Sequence, residues 1–350
     1  MSIEQKIKNL IKRFGRIEYL VLYYLVKLLQ QSKEGEDVNF DDEFYYDLYD
    51  EIGEIYEQSQ KEANEIIKSG YLAGYKRDKN RLKEFYSDLL EFILSPTSQM
   101  NQMGIRALHN TLTVINNAYR SIPMRIKQAQ LQVVNDVVNL YTQGNMTWQQ
   151  AKQIALNRLA DQKVFYFIDR SGKRWELDGY VEMGIRTGYA NASRAGFDQS
   201  MEDRGIDLVY CSAHPGACPL CVPWEGQVLS RSGKDTHYPS VDDAISAGLF
   251  HPNCGHVFLE YIEGFSKPIN FDSEENSQLY QNYQQQRYME RNLRKWKRRE
   301  VAAISPEEKT KAKSYVKRWS GKIKDFTEEN NLTRKRYREK LMTGNILGRQ

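Results

Sequence analysis

Cysteine is scarce in this chain, and its scarcity excludes an architecture that depends on disulfides. Only four cysteines occur in 350 residues, whereas small disulfide-stabilised domains are rich in them. Long apolar runs are missing as well, because the most apolar stretch, residues 17–29, is too short to span a bilayer and is interrupted by Glu18 and Lys27. The polar N-terminus carries no signal-peptide pattern. We therefore expect a soluble protein that is made in a reducing cytoplasm and has no membrane partner.

Histidine is also scarce, and it occurs where the cysteines are. The chain has five histidines, four of which lie between residues 214 and 256, and all cysteines lie between residues 211 and 254. A C-x-x-C turn directs two sulfurs to one point, and a second pair of soft ligands about thirty residues later completes a tetrahedron around zinc. The two close pairs here predict a structural Zn²⁺ site with the ligands Cys218, Cys221, Cys254 and His256.

Other interpretations of these residues stay open. The thiols are also compatible with reduced structural cysteines or a redox pair, and Cys211, at the end of a predicted buried strand, is expected to be a small apolar residue. His251 precedes a proline and is a candidate to hydrogen-bond a ligand instead of binding the metal itself. A zinc-stabilised HNH-type nuclease is an alternative, but the region offers only His237 and Asp235 for its chemistry. We predict no catalytic residues and no small-molecule substrate.

Apolar residues recur at steps of three and four through much of residues 1–161, which indicates long amphipathic helices. We expect a break at residues 70–75, which contain two glycines, and Pro123 is a candidate for a second break. Thr147, followed three residues later by Gln150, fits a capping box. The predicted helices cover residues 15–31, 40–56, 79–94, 101–143 and 147–161.

The pattern acquires a mixed α+β character near residue 164. Two apolar runs around Arg170-Ser-Gly-Lys173 predict a hairpin, and a helix then runs to Met201 and ends at Gly205. After residue 268 the chain returns to helix, with Pro306 at the start of the last one and a mobile basic tail over residues 331–345. The other predicted elements are strands at residues 206–212, 226–230 and 256–262 and a short helix at residues 241–247.

The expected fold class is α+β and predominantly helical, in three consecutive parts. Residues 1–161 form a helical N-terminal domain with long helices. Residues 162–266 form a small α+β module that zinc stabilises. Residues 267–350 form a basic helical C-terminal segment.

Charge is distributed unevenly along the chain. Residues 286–350 contain twenty Lys and Arg against eight Asp and Glu, whereas residues 34–57 contain eleven acidic residues and no base. Such polarity indicates different partners for the two regions. Basic runs around Trp296 and Tyr337 indicate sequence-independent contact with duplex DNA, with docking on an acidic protein surface as the alternative. The predicted DNA-binding residues are Arg294, Lys295, Lys297, Arg298, Arg299, Arg334, Lys335, Arg336 and Arg338.

About a hundred residues of the α+β region resemble the phage minor capsid (head morphogenesis) proteins. The motifs that carry the resemblance occur in order: VFYFIDRSGKRWELDGYVEMGIRT, GIDLVYCSAHPGACPLCVPWEGQVLS, YPSVDDAI and LFHPNCGHVFLEYIEG. The C-x-x-C and H-P-N-C-x-H pair is also similar to the zinc-knuckle end of the Mu F-type head proteins. One departure is Gly255, where members of the family have arginine, which removes a basic contact but leaves both adjacent ligands in place.

The resemblance implies a structural virion component made in the cytoplasm of an infected bacterium. It implies a location on the inner face of the head near the portal vertex, with a role in head assembly and in DNA packaging or delivery. The implied partners are the portal protein, the major capsid or scaffold protein, and packaged double-stranded DNA. A toxin or adaptor that carries the same module is an alternative.

Overall fold

The computed structural model describes residues 2–33, 42–77, 100–143, 146–162, 166–168, 172 and 174–341. Within these ranges the chain is mostly helical and carries two small antiparallel sheets, so the predominantly helical α+β class is confirmed. None of the described helices is long and apolar enough to cross a membrane. The helices are α1 (Ile3–Gln31), α2 (Asp42–Tyr75), α3 (Gln102–Thr142), α4 (Trp148–Gln162), α5 (Leu177–Asp203), α6 (Val241–Ser246), α7 (Ser273–Val301) and α8 (Pro306–Glu329).

The strands of the described residues are β1 (Tyr166–Ile168), β2 (Arg174–Glu176), β3 (Leu208–Cys211), β4 (Val228–Ser230) and β5 (Phe258–Glu260). β1 pairs with β2 in antiparallel fashion, which confirms the predicted hairpin. The second sheet has the order β4-β3-β5, and both outer strands run antiparallel to β3. All three strands of this sheet lie within segments predicted to be strands.

The predicted break at residues 70–75 is wrong, because α2 continues to Tyr75. The glycines are there for packing: a Cβ on Gly74 would lie 1.7 Å from the carbonyl oxygen of Ser193, in α5. In the opposite direction, a Cβ on Gly196 would lie 2.0 Å from the carbonyl oxygen of Tyr71. Two helices approach this closely only where the side chain is a hydrogen atom. Glycine in this stretch therefore marks a helix contact and not a helix end.

Most other predicted helix boundaries agree with the structure, but α1 begins at Ile3 and not at residue 15. α3 runs through Pro123 without a break. Thr147 and Gln150 form the predicted capping box, since each backbone N–H donates to the other side chain, at 2.8 and 3.2 Å. Gly205 has a φ of 66° and follows the end of α5 as expected. The helix predicted over residues 79–94 lies outside the described residues.

Contacts group the chain into two compact units, each assembled from three stretches that are separate in sequence. The three consecutive domains expected from composition stay a prediction. The first unit contains Met1–Ile7, Ser59–Ile115 and Glu182–Tyr283, and the second contains Lys8–Gln58, Asn116–Val181 and Gln284–Gln350.

A buried ion pair fixes α5 to the sheet within the first unit. Arg204 Nη1 lies 2.5 Å from Glu260 Oε2, and both side chains are almost completely buried. Its Nε donates to the carbonyl oxygen of Ser200. The sheet residues beside this pair belong to an apolar cluster that includes Phe197, Met201, Val209, Cys221, Leu249 and Phe258.

Buried cations satisfy helix ends within the second unit. Lys152 is fully buried, and its Nζ donates to the carbonyl oxygens of Leu29 and Ser32 at 2.7 and 3.2 Å, where α1 ends. Arg298 is only 4% exposed, and its Nε donates to the carbonyl oxygen of Ala160 near the end of α4. Unpaired carbonyls at a helix C-terminus favour a nearby cation. Part of the basic composition is therefore used inside this unit.

Candidate metal centre and basic surface

The three-stranded sheet brings the two halves of the cysteine region together. Cys211, the last residue of β3, is paired with Phe258, the first residue of β5. The loop that leaves β3 therefore begins beside the point where the loop before β5 ends. Because the first loop carries Cys218 and Cys221 and the second carries Cys254, strand pairing brings together sulfurs that are far apart in sequence.

Tight turns hold the sulfur-bearing residues within each loop. The backbone N–H of Cys221 donates to the carbonyl oxygen of Cys218 at 3.0 Å, which closes the C-x-x-C turn. In the second loop, the N–H of Cys254 donates to the carbonyl oxygen of His251 at 2.9 Å. Asn253, inside this turn, has a φ of 67°, a conformation that asparagine tolerates better than most residues.

Five donors of the kind that bind zinc lie together as two overlapping triads that contain the sulfurs, and a third group, His214, Glu225 and His256, shares His256 with them. The first triad is Cys218, Cys221 and His251, and the second triad is Cys221, Cys254 and His256. Within each triad the donor atoms lie within 4.8 Å of one another. The cluster therefore contains all four predicted ligands, with Cys221 shared and His251 present as a fifth donor.

The donor distances provide a test of whether zinc fits. Tetrahedral coordination, with Zn–S bonds of about 2.3 Å, places two sulfurs about 3.8 Å apart and a sulfur and a nitrogen about 3.6 Å apart. Cys221 Sγ lies 3.6 Å from Cys254 Sγ, which lies 3.4 Å from His256 Nδ1. Cys218 Sγ lies only 2.9 Å from His251 Nε2. Both distances from Cys254 in the second triad are close to those around zinc, whereas Cys218 and His251 must separate by about 0.7 Å to share an ion.

Both histidines have the second ring nitrogen held by an oxygen. His256 Nε2 lies 2.8 Å from Oε1 of the buried Glu225, which also accepts the backbone N–H of His214. His251 Nδ1 lies 2.8 Å from the carbonyl oxygen of Pro252. Metal-bound histidines usually donate this second N–H to a carboxylate or a carbonyl, which fixes the tautomer that coordinates. The arrangement leaves the other nitrogen of each ring facing a sulfur.

The contacts among the donors also determine which sulfur loses its proton. A hydrogen bond from Cys221 lowers the pKa of the Cys254 thiol, and contact with His256 acts in the same direction. The hydrogen bond to Cys254 raises the pKa of Cys221. Burial lowers the pKa of His256, but its contacts with Cys254 and Glu225 raise it more, so the net shift is upward. Cys254 is therefore favoured as a thiolate, the form that binds metal ions.

Cys211 and His237 lie outside both triads. Cys211 is completely buried, and burial raises the pKa of its thiol to about 12, in agreement with its interpretation as a small apolar residue. His237 Nδ1 lies 2.9 Å from Asp235 Oδ1, and 89% of the histidine side chain is exposed. The pair invoked for the nuclease alternative is therefore a solvent-facing contact in a loop.

At least six of the nine predicted DNA-binding residues have hydrogen-bond or ion-pair partners inside the second unit. Lys297 Nζ donates to the carbonyl oxygen of Glu339 at 2.7 Å, and Arg294 donates to the carbonyl oxygen of Arg338. The described part of the predicted mobile tail therefore packs against α7, while Arg336 is exposed. The six are Arg294, Lys295, Lys297, Arg298, Arg299 and Arg334.

The exposed bases of this unit are concentrated on α8, which the sequence reasoning did not select. Two neighbouring grooves of about 670 and 580 Å³ lie beside it, and Glu300 lines both. Lys27, Lys309 and the tyrosines Tyr19 and Tyr23 line the first groove. The second groove is lined by Lys313, Lys317, Lys324 and Arg334. The exposed bases of α8 are Lys309, Lys311, Lys313, Lys317, Arg318, Lys322 and Lys324.

Comparison with known proteins gives consistent matches. A family model described as phage minor capsid protein 2 matches residues 44–328. A structural protein of Lactococcus phage LL-H is 28% identical over 229 residues, which are 60% of this chain and 62% of that protein. A structural protein of Lactococcus phage mv4 is 34% identical over 113 residues, which are 30% of this chain and 92% of that protein. The chain thus spans less than two thirds of the LL-H protein. No solved structure matches it.

Proposed function

The chain belongs to the phage minor capsid protein 2 family, and we propose that it lies on the inner face of the phage head near the portal. There it acts in head assembly and in DNA packaging or delivery, with the portal protein, the major capsid or scaffold protein, and packaged DNA as partners. It works as a structural component and catalyses no reaction. The observation that carries this proposal is the exposed basic surface of α8, since the interior of a filled head is dense with phosphate.

Protease protection in purified virions tests the location. In intact particles we expect the protein to resist added protease, because the shell excludes the enzyme, and to become sensitive once the heads are opened. Heads separated from tails should retain it together with the portal protein. Digestion in intact virions, or recovery with the tails alone, would contradict an internal head location.

A structural Zn²⁺ ion is part of the proposal. The ligands are Cys218, Cys221, Cys254 and His256, because three of them form the triad that fits the ion and Glu225 orients the histidine. A bound ion would link the loop after β3 to the loop before β5. With four protein ligands it would have no open coordination position, so its role would be structural.

The two grooves beside α8 are the proposed contact with duplex DNA. Eight basic side chains line them, and Glu300 is the acidic residue among their described lining residues. Lysine ammonium groups bind phosphates without regard to base sequence and displace counterions, so the affinity should fall steeply as salt rises. This surface, and not the internally bonded arginines of α7, is the proposed principal contact, although Lys297 and Arg334 among its bases also have partners within the unit. The eight are Lys27, Lys297, Lys309, Lys313, Lys317, Lys324, Arg334 and Lys340.

Charge reversal on α8 tests the DNA contact. The double variant Lys313→Glu with Lys317→Glu should weaken binding to non-specific duplex DNA about tenfold or more near 0.1 M salt. It should also reduce the slope of log affinity against log salt by about 2, one for each lost phosphate contact. Fluorescence anisotropy of the full chain over a salt series measures both quantities.

A matched control removes net charge as an explanation. Arg318→Glu with Lys322→Glu has the same spacing, helix and charge change, but neither residue lines a groove. Equal losses for the two double variants would show that only net charge matters, and the groove assignment would then be wrong.

A further inference from the structure

One face of α5 holds the loop that carries Cys254. Thr187, Arg194 and Asp198 are spaced seven and four residues apart, so they share a side of the helix. Thr187 Oγ1 accepts the backbone N–H of Asn253 at 3.2 Å. Asp198 binds Arg231, in the loop after β4, at 2.7 Å. α5 therefore supports the loop that carries Cys254 and the loop after β4, as well as being a core helix.

Arg194 occupies the middle of this face and has unused hydrogen-bonding capacity. Its guanidinium carbon lies 4.0 Å from the ring centroid of Phe250, the residue before His251. Nη2 donates to Asn191. Nη1 is buried and has no hydrogen-bond partner among the residues that the structure describes. A buried guanidinium N–H without an acceptor is costly, so its presence beside the centre requires an explanation.

The net charge of the proposed metal centre explains why a buried guanidinium lies beside it. Zn²⁺ with three thiolates and a neutral histidine carries a net charge of −1, and Cys221 and His256 are almost completely buried. An uncompensated charge in such a site is strongly unfavourable. Arg194 carries the complementary charge: burial lowers the pKa of its guanidinium to about 10, while the negative charge of Cys254 opposes this shift.

We propose that Arg194 is a positioning residue of the metal centre, and that its buried positive charge offsets the negative charge of the thiolate set. The stacking of its guanidinium on Phe250 and the hydrogen bond to Asn191 hold it in place for this role. The inference rests on the proposed metal centre, and it predicts that loss of the Arg194 charge weakens metal binding although no ligand has been changed.

Zinc affinity of the full chain tests the role of Arg194. Arg194→Met should bind Zn²⁺ about 10- to 100-fold more weakly than the wild-type chain, the usual effect of removing a group that supports the ligands. Competition with a chromophoric chelator at constant pH measures the affinity. Arg194→Gln, which also removes the charge but keeps polar donors, carries the same test if the methionine variant does not fold. Arg194→Lys retains the charge and should recover part of the loss.

Arg186→Met is the matched control, because Arg186 also lies on α5 but pairs with Glu4 and Glu182. Its zinc affinity should stay within about threefold of wild type. Equal affinities for Arg194→Met and Arg186→Met would overturn the role of Arg194 while leaving the metal centre intact. A wild-type chain that binds no Zn²⁺ would overturn the metal centre itself, and the role of Arg194 with it.

Discussion

Replacing Cys221 with serine is expected to abolish metal binding at the candidate centre and to destabilise the loops around it. Cys221 is the residue that both triads share, so no alternative set of donors within them is complete without it. Structural zinc contributes about 10–16 kcal/mol to folding in small zinc-binding peptides. We therefore expect about one zinc per wild-type chain, none in Cys221→Ser, and a lower thermal midpoint in the variant. Elemental analysis and thermal unfolding measure these quantities.

Cys211→Ala is the control for this experiment. Cys211 lies in the same apolar cluster as Cys221 and is as buried, but it belongs to neither triad. Its substitution should retain the zinc and cost about 1 kcal/mol of stability, as is typical of a small change in a core. A strong chelator should lower the thermal midpoint of the wild-type chain and of Cys211→Ala, but not that of Cys221→Ser. Full zinc content in Cys221→Ser would contradict the centre.

The same measurement decides between the two histidines. His256 is the predicted ligand, and its triad fits the ion, so His256→Ala should lose most of the affinity. His251→Ala should bind more weakly only if His251 takes the fourth position in place of His256. In either case the affinity should fall as the pH is lowered, because protons compete with the metal for thiolate and imidazole ligands.

The donor cluster could be predicted from the sequence, but its supporting residues could not. The spacing of Cys218 and Cys221 fixes a local turn, and a second pair within the same module has to meet it for a tetrahedron to form. Glu225 gives no such local signal, because it contacts His256 from 31 residues away in sequence, and the proposed role of Arg194 likewise depends on tertiary packing. Residue spacing also predicted different roles for His251 and His256, whereas the structure brings both rings to sulfurs. Chain spacing cannot decide between donors five residues apart around a tight turn.

The basic segment shows the opposite limitation, since composition indicates a basic region but does not show which of its side chains are exposed. A run such as Arg294 to Arg299 contains more charge than one helix face can expose. Some of its members must therefore turn inward, and Arg298 satisfies a carbonyl at the end of α4. On α8 the basic residues are separated by residues of other types, so they form no conspicuous run in the sequence. Their side chains are nevertheless exposed. Local charge density therefore does not identify which basic side chains are exposed.

Gly74→Ala is expected to destabilise the first unit strongly, although alanine favours a helix by about 1 kcal/mol relative to glycine. The added Cβ would lie 1.7 Å from the carbonyl oxygen of Ser193. That atom belongs to a helix backbone, so the clash cannot be relieved by a side-chain rotation. Overpacking usually costs about 1–3 kcal/mol and sometimes more, and we expect a net loss of about 2–4 kcal/mol, measured as a shift of the urea midpoint.

Gly53→Ala in the same helix is the matched control. No atom lies within 4 Å of a Cβ at that position, so only the helix preference remains, and the substitution should stabilise the chain by about 0.5–1 kcal/mol. If Gly74→Ala lowers the free energy of unfolding and Gly53→Ala raises it, close packing and not backbone flexibility is the reason for glycine at position 74. Equal and stabilising effects would mean that α2 and α5 do not approach this closely in solution.

The double variant of Gly74 and Gly196 extends this test to the helix pair as a whole. Neither position has room for a Cβ, because α2 and α5 approach closely at both. A Cβ on Gly196 would meet the carbonyl oxygen of Tyr71. Once the first alanine has forced the helices apart, the second should cost much less than it does alone. The two penalties should therefore fall short of additivity by about 1 kcal/mol or more, as expected for substitutions that share one backbone shift. Additive penalties would instead indicate two independent local distortions.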